Sequence, residues 1–400
     1  MASSPPPPSP GTSPVKLSDC IEDLLKFTLS TYAPPASQLS LSRDYCSRLL
    51  QHDQALPDAP AGPGAGGVPA YPLYKHLARA LDRSINSRTY SKAPEYESVS
   101  DASFPADGSL GEEEREKEWQ RAIAEKGSIL LDTLGSVEFE LHVQEPYLTQ
   151  LASGRKSVEG RCAAGAYNLF GPGSVLLFNK CLLMEVRDVR KYPSFSEMLR
   201  AEGLSSVLPG VESVEEGVQI YRRFYTEEKE LSNGVLGISV SKPDRQPHAC
   251  LADVLSGLGC EGVGGLVGMV HTAGTVADAL PPPRSSLVAS CMNPLRPDVK
   301  GCFLTDAARA LDKHVNRSSE GWWGRLCGSA SVKNSRALEV VNRLLNQCCW
   351  MNAHMLQPNE GVFEIRVREG YGARWSLDGS KFIGFLEPYT EDGYSRRWHN

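Results

Sequence analysis

The chain has no long apolar run, no C-x-x-C pair and no excess of positive charge. Each absence removes a class of function. The longest weakly polar run, Val263 to Val270, is glycine-rich and far shorter than the ~20 apolar residues that span a bilayer, so no membrane contact is expected. No charged start followed by an apolar segment is present, which argues against a secretory signal. The eleven cysteines are scattered and odd in number. A complete intramolecular disulfide set is therefore impossible, and the spacing offers no structural zinc site; the reading is a reducing compartment, cytoplasm or nucleus. The Pro/Ser tract Met1 to Pro14 is expected to be disordered. A plastid transit peptide would also be Ser-rich and acid-poor, but Asp19, Glu22 and Asp23 follow closely; plastid import stays open. A net charge of -6 argues against general coating of nucleic acid, so any such contact needs a local basic patch. The glycines between Gly257 and Gly265 lack the lysine and spacing of a phosphate loop and read as a packed helical connection. No cofactor and no metal are expected.

What is present is a 400-residue chain with 41% hydrophobic residues, enough for two or three domains. Residues 15–135 read as a helical region with polar loops. It has a short helix around Ile21 to Leu29 and a second over Tyr71 to Arg83. A third runs over Glu112 to Leu134. The loops are the Pro/Gly/Ala stretch Leu56 to Pro72 and the polar stretch Tyr90 to Gly111. Residues 136–242 are strand-rich. Val137, Phe139, Leu141 and Val143 alternate with polar residues, the pattern of a half-buried strand. Further strands are expected at Ser174 to Lys180, Leu182 to Tyr192 and Gly234 to Val240. Two short helices start at the capping boxes Ser194 to Glu197 and Ser213 to Glu216. A glycine-rich helical linker occupies 243–292. Residues 293–400 read as α+β. Thr305 or Asp306 caps one helix, and Ala337, Val341, Leu344, Leu345 and Cys348 line a second. Strands follow at Phe363 to Val367 and Phe382 to Leu386.

The densest chemistry lies in Gly154-Arg155-Lys156-Ser157-Val158-Glu159-Gly160-Arg161. Glycine at both ends suits a loop that runs into a strand. Such a loop can aim Lys156, Glu159 and Arg161 into a cleft. From Gly154 to Tyr192 seven cations face three acids, a local excess in an acidic chain. Lys156 suits phosphate, and Arg161 can donate two parallel bonds to phosphate or a base edge. Glu159 can accept from an exocyclic amine. Tyr147 or Tyr167 could stack on a splayed base. The plainer reading is a surface salt-bridge cluster worth little.

Glu145-Pro146-Tyr147 followed by Gly154-x-Lys156-x-x-Glu159-x-Arg161 resembles the ASCH family (activating-signal-cointegrator homology). The resemblance covers about a quarter of the chain and implies a PUA-like β-barrel. The whole chain also resembles plant proteins described as RNA-binding ASCH-domain proteins. The expected fold class is thus α+β: a central PUA-like barrel, an N-terminal helical region and a C-terminal α+β domain. The resemblance implies RNA or a modified nucleoside or nucleotide as partner, held by Lys156, Glu159, Arg161, Arg155, Tyr147 and Tyr167. A protein-binding adaptor is a further alternative. Some small bacterial members are amidohydrolases acting on acetylated cytidine with a lysine, a threonine and a glutamate. Lys156 matches the lysine, but Glu159 stands at the threonine position, and a carboxylate replaces a hydroxyl poorly as nucleophile. Ser157 would point to the other side of a strand. Glu202 is the candidate third residue; Glu216 is better explained as a cap. RNA hydrolysis, with His142 beside Lys156 and Glu159, is the other catalytic alternative.

The last eighty residues hold five of the six tryptophans. Arg374, Trp375 and Glu387 are candidates for a second site that stacks bases or grips phosphate. The alternative is a core whose tryptophans need polar partners.

Overall fold

Short runs of alternating side chains build two separate sheets. The computed structural model describes residues 15–31, 40–53, 67–92, 110–272, 274–294, 303–317, 321–356 and 360–388. The Pro/Ser tract at 1–14 lies outside them, as do most of the two N-terminal loops at 56–72 and 90–111. The chain divides into two compact units: Met1–Thr28 with Glu125–Asp253, and Leu29–Ala124 with Val254–Asn400.

The first unit carries β1 (Phe139–Leu141), β2 (Val158–Cys162), β3 (Val175–Phe178), β4 (Leu182–Tyr192) and β5 (Val235–Ser241). They form one sheet in the order β1-β3-β4-β5-β2. β1 and β3 are parallel, and the other pairs are antiparallel. A register shift between Val186 and Asp188 interrupts the long β4, and such a bulge bends and twists a strand. The result is a curled half-barrel rather than the closed barrel expected. β1 and β2 stand at its two ends and share no backbone ladder among the described residues.

Four helices, not two, connect β4 to β5: Phe195–Glu202, Leu204–Val207, Val214–Arg222 and Glu227–Asn233. Both capping boxes start helices as expected. The Ser194 and Ser213 hydroxyls accept from the Glu197 and Glu216 backbone N–H at 3.2 and 3.1 Å. Their apolar residues Phe195, Met198, Leu199, Val207, Leu208 and Tyr221 pack with Val158 and Cys162 of β2. Gly160, between those two, has its backbone against the Tyr221 hydroxyl and the Met198 methyl, leaving no room for a side chain. All five residues of β2 are therefore buried, although β2 pairs with only one neighbour.

In the second unit, β6 (Trp350–Leu356), β7 (Glu360–Arg366), β8 (Gly372–Ser376) and β9 (Phe382–Leu386) form an antiparallel meander. Phe363, Ile365, Ala373 and Trp375 fill its apolar face and are buried. Helices Arg284–Cys291, Asp306–Arg317 and Ala330–Gln347 belong to the same unit. The Trp375 indole donates to the Leu287 carbonyl of the first of these at 3.1 Å. β6 was not visible in the periodicity. Cys348 continues the helical spacing and is buried, yet it already has the extended backbone that ends the helix.

One helix, Pro247–Leu266, is long and apolar enough to cross a membrane by length and composition. Most of it is buried, and Gly259 at φ 62° breaks its helical conformation. These are the marks of a core helix.

Candidate functional site

β2 carries Val158, Gly160 and Cys162 on one face and Glu159 and Arg161 on the other, since side chains alternate along a strand. Lys156 precedes the strand and folds its stem inward. All three charged residues are buried, at 1% exposure for Lys156, 7% for Glu159 and 6% for Arg161. The Glu159 carboxylate bridges the cations, with Oε2 3.0 Å from Lys156 Nζ and Oε1 3.0 Å from an Arg161 Nη. Lys156 Nζ also donates to the Val158 and Val207 carbonyls at 2.7 and 2.5 Å. Arg161 donates to the His142 carbonyl at 2.8 Å. That bond runs from one end strand of the open sheet to the residue following the other. The guanidinium thus bridges the gap that no backbone ladder closes.

The expectation of charges aimed into an open cleft, and the alternative of a solvated surface cluster, both give way to a buried triad. The physical reason is the helical cover over β2, which arrives forty to sixty residues later in the chain. Two cations share one carboxylate, so the triad carries a net positive charge. The electrostatics register the imbalance. Burial pulls the Lys156 ammonium below its usual value; Glu159 pulls it back, and Arg161 adds to the burial effect. Burial alone would raise the Glu159 carboxyl, but Lys156 and Arg161 outweigh it and hold the group below its ordinary value. Arg161 Nε is buried and has no hydrogen-bond partner among the described residues.

Aromatic rings flank the triad. The Tyr147 ring lies 5.6 Å from Lys156 Nζ, and the Tyr167 ring 5.8 Å from Arg161 Cζ. Both distances suit cation–π contacts. Tyr147 opens the short helix Tyr147–Ala152, which the sequence did not reveal. Tyr167 sits in the 3-10 turn Gly165–Leu169, with Phe170 edge-on behind it at 5.7 Å. Both tyrosines are half-buried. Tyr225 faces the Arg161 guanidinium, and burial raises its hydroxyl and those of Tyr147 and Tyr221. All three stay protonated at neutral pH and can donate.

The other sequence candidates are dispersed. Arg155 is exposed, its Nε 3.4 Å from the Ser153 hydroxyl. Glu202 accepts from the Tyr192 hydroxyl at 2.5 Å and lies 3.7 Å from Arg190; these contacts do not join it to the triad. Glu216 is exposed; its carboxylate accepts from the Glu212 N–H at 3.3 Å, the residue before the Ser213 cap. The Ser157 side chain and the His142 ring are exposed; only the His142 carbonyl reaches the cluster.

In the second unit Arg374 and Glu387 do not meet. The Glu387 carboxylate takes the Trp323 indole N–H at 2.8 Å and His314 Nδ1 at 2.6 Å. Trp375 is fully buried. Arg374 instead donates through Nε and Nη2 to Glu364 Oε2, at 2.9 and 2.7 Å. Glu364 Oε1 takes Arg366 Nε at 2.6 Å. Glu364 and Arg366 are each 1% exposed. The strand register sets this up. Asn352, Glu364, Arg374 and Gly384 stand opposite one another across all four strands. His354 lies two residues beyond Asn352 on the same face, with Nε2 3.9 Å from Glu364 Oε2 and Nδ1 enclosed without a partner among the described residues. Burial lowers its pKa below the usual value; Glu364 opposes this, and Arg374 and Arg366 add to it. Thr275 and Thr272 fix the Asn352 amide at 2.9 and 2.7 Å. A side-chain carbon at Gly384, opposite Arg374, would meet nothing within 4 Å among the described residues. Sequence reasoning placed Glu364 and Arg366 on one strand face but missed this cluster. Glu-x-Arg opposite an apolar face was its only local signal. No cluster of three or more His, Cys, Asp or Glu side chains suited to a metal is found among the described residues.

Two family models match. Residues 141–244 match the ASCH domain, and residues 297–387 match the CdiA C-terminal tRNase toxin domain. Solved structures similar to the chain include two archaeal-type proteins of unassigned role, the first seen in a crystal structure and the second in an NMR structure. The crystal structure of the hypothetical protein PH0355 is 41% identical, with a TM-score of 0.26, covering 26% of this chain and 97% of that one. The solution NMR structure of protein PF0455 from Pyrococcus furiosus is 43% identical, with a TM-score of 0.25 and the same shares. No curated protein matches.

Proposed function

We propose, from the match of residues 141–244 to the ASCH domain, that this unit binds RNA. The observation that carries the reading is the uncompensated triad beneath two half-buried tyrosines. A buried cluster with two cations and one carboxylate favours an anion nearby, and an RNA phosphate supplies one. Tyr147 and Tyr167 offer flat faces for splayed bases, and stacking is worth roughly 1–3 kcal/mol per base. The exposed Arg155 adds a phosphate contact at the rim. Glu159 stays a bridging anion in this reading, not a nucleophile. Binding of a modified nucleoside or of a protein partner are finer alternatives on the same surface.

The test is titration of single-stranded RNA into the full chain at several salt concentrations. Tyr147→Ala and Tyr167→Ala are compared with the unaltered chain. The rim tyrosines are better probes than Lys156 or Arg161, because removing a buried cation unsettles the fold as well as the site. Weaker binding in folded tyrosine variants, with affinity falling as salt rises, supports the reading. Affinity unchanged in both variants removes this site.

A second reading concerns the second unit. Its match to a tRNase toxin domain, together with a buried carboxylate, two arginines and an imidazole on one sheet face, supports RNA cleavage there. Loss of RNA integrity in the presence of purified full chain is the measurement. RNA that stays intact at high protein concentration removes the reading.

A further inference from the structure

The RNA reading of the first unit leaves open how much of a strand the site holds. Resting on that reading, we propose that the turn between the helices Val214–Arg222 and Glu227–Asn233 is a third wall of the site. There Phe224 stacks a further base and Arg223 holds a phosphate beside it, so the site takes a run of several unpaired nucleotides rather than one nucleoside.

The turn is fixed over β2 from both ends. Tyr221, in the last helical turn before it, has its hydroxyl against the Gly160 backbone and its ring stacked on Phe195 at 4.1 Å. Tyr225, at the far end, lies 5.5 Å from the same Phe195 ring, and its hydroxyl accepts from the Arg161 guanidinium. The Tyr221 carbonyl takes the Phe224 and Tyr225 backbone N–H, each at 2.9 Å. Residues 222 to 225 therefore follow a set path beside Glu159 and Arg161.

The turn also reaches both rim tyrosines. Burial raises the Tyr147 hydroxyl, and the nearby Arg223 charge opposes the rise, which puts Arg223 on the Tyr147 side. Tyr225 meets Arg161 and Tyr167 on the other.

Between its two anchors the turn exposes an aromatic ring and a cation. Phe224 is 47% exposed. One exposed apolar side chain is ordinary, but this one has company. Leu169, in the same turn as Tyr167, is 63% exposed, and Tyr147 and Tyr167 are half-buried. Large flat or apolar side chains thus stay uncovered around one cluster of buried cations, the make-up of a base-stacking surface. Arg222 turns to the buried Glu230 carboxylate. Arg223 is exposed and pairs with no carboxylate among the described residues, so its guanidinium stays available to a phosphate. The exposed Glu227 and Glu228 open the next helix, which confines the basic rim on this side to Arg223. A lone nucleoside carries one base and no phosphate. It would leave rings uncovered and Arg223 unused.

The experiment titrates uridine and oligouridylates of two, four and eight nucleotides into the full chain at several salt concentrations. Phe224→Ala, Arg223→Ala and Tyr147→Ala are measured in the same way, and thermal unfolding checks that each folds. The expected result is affinity that climbs with length from uridine to the tetranucleotide. Phe224→Ala should lose roughly 5- to 150-fold on the longer strands, the stacking of one base. Arg223→Ala should lower the salt slope by about 0.7, one phosphate on a single strand. If no strand of any length binds the unaltered chain, the RNA reading falls and this assignment falls with it. Where Tyr147→Ala weakens binding, unchanged affinity in Phe224→Ala overturns the stacking role, and an unchanged salt slope in Arg223→Ala overturns the phosphate role; both leave the RNA reading standing. Uridine held as tightly as the octanucleotide overturns the need for several nucleotides.

Discussion

Each unit buries a carboxylate between two cations. Glu159 holds Lys156 and Arg161 in the first, and Glu364 holds Arg366 and Arg374 in the second. The charge count is the same, but the surroundings differ. Around Glu159 the neighbours are tyrosines whose hydroxyls stay protonated. Nothing there accepts a proton readily, and the cluster suits recognition. Around Glu364 the neighbour is an imidazole whose pKa burial lowers and whose enclosed Nδ1 has no partner among the described residues, and a glycine position lies beside one arginine. The two clusters thus share a charge count and differ in the residues just outside it.

The largest effect that would break the comparison is removal of either carboxylate. Glu159→Ala and Glu364→Ala each leave two buried cations without their anion. Each should cost about 3–5 kcal/mol of stability, read from urea unfolding. A loss below ~1 kcal/mol at either site would show that the carboxylate does not hold the cations as described. Loss of a rim ring comes next. Tyr167→Ala should weaken single-stranded RNA binding by about 1–3 kcal/mol and leave any RNA cleavage by the second unit unchanged. A parallel drop in cleavage would erase the distinction between the sites.

The acid limb of stability tests the Glu159 cluster further. The folded Glu159 carboxyl titrates below its ordinary value of 4.5. It therefore contributes stability that is complete above that pH and is lost as pH falls through the folded value. Glu159→Gln should flatten stability against pH below about 4.5, at the cost of lower stability at neutral pH. An acid limb as steep as in the unaltered chain would contradict the ion pairs. The smallest effect is expected at the rim. Arg155→Ala should change stability by less than about 0.5 kcal/mol. It should reduce the salt dependence of RNA binding by about one phosphate contact.

Much of this was legible locally, and the rest depended on the register and cover of distant segments. Lys156, Glu159 and Arg161 could be picked out by spacing, and Tyr147 and Tyr167 do lie on Lys156 and Arg161. Their burial could not be read, because charged residues near a glycine resemble a solvated loop. The cover comes from Val207 and Tyr221, and a sequence scan does not show that they return to β2. The same holds for Phe363 to Val367. Its alternation reads as a strand, but does not reveal that Glu364 and Arg366 on the polar side are buried. Arg374 stands opposite Glu364 only because the turn between β7 and β8 sets that pairing. Glu387 was grouped with Arg374 in one candidate site, but the strand ends and the carboxylate turns to Trp323 and His314. The half-barrel differs from the closed barrel for a comparable reason: a three-residue β1 offers little edge for β2 to pair with, and Arg161 spans the gap with a side chain.

The central claim is that the first unit holds RNA over its buried cations, at the tyrosine rim. The most direct test is the affinity of the full chain for single-stranded RNA across a salt series, measured with and without the Tyr147→Ala and Tyr167→Ala changes. The account predicts affinity that falls linearly with the logarithm of salt and a marked loss in each folded variant. Binding that is indifferent to salt, or equally tight in both variants, would contradict it.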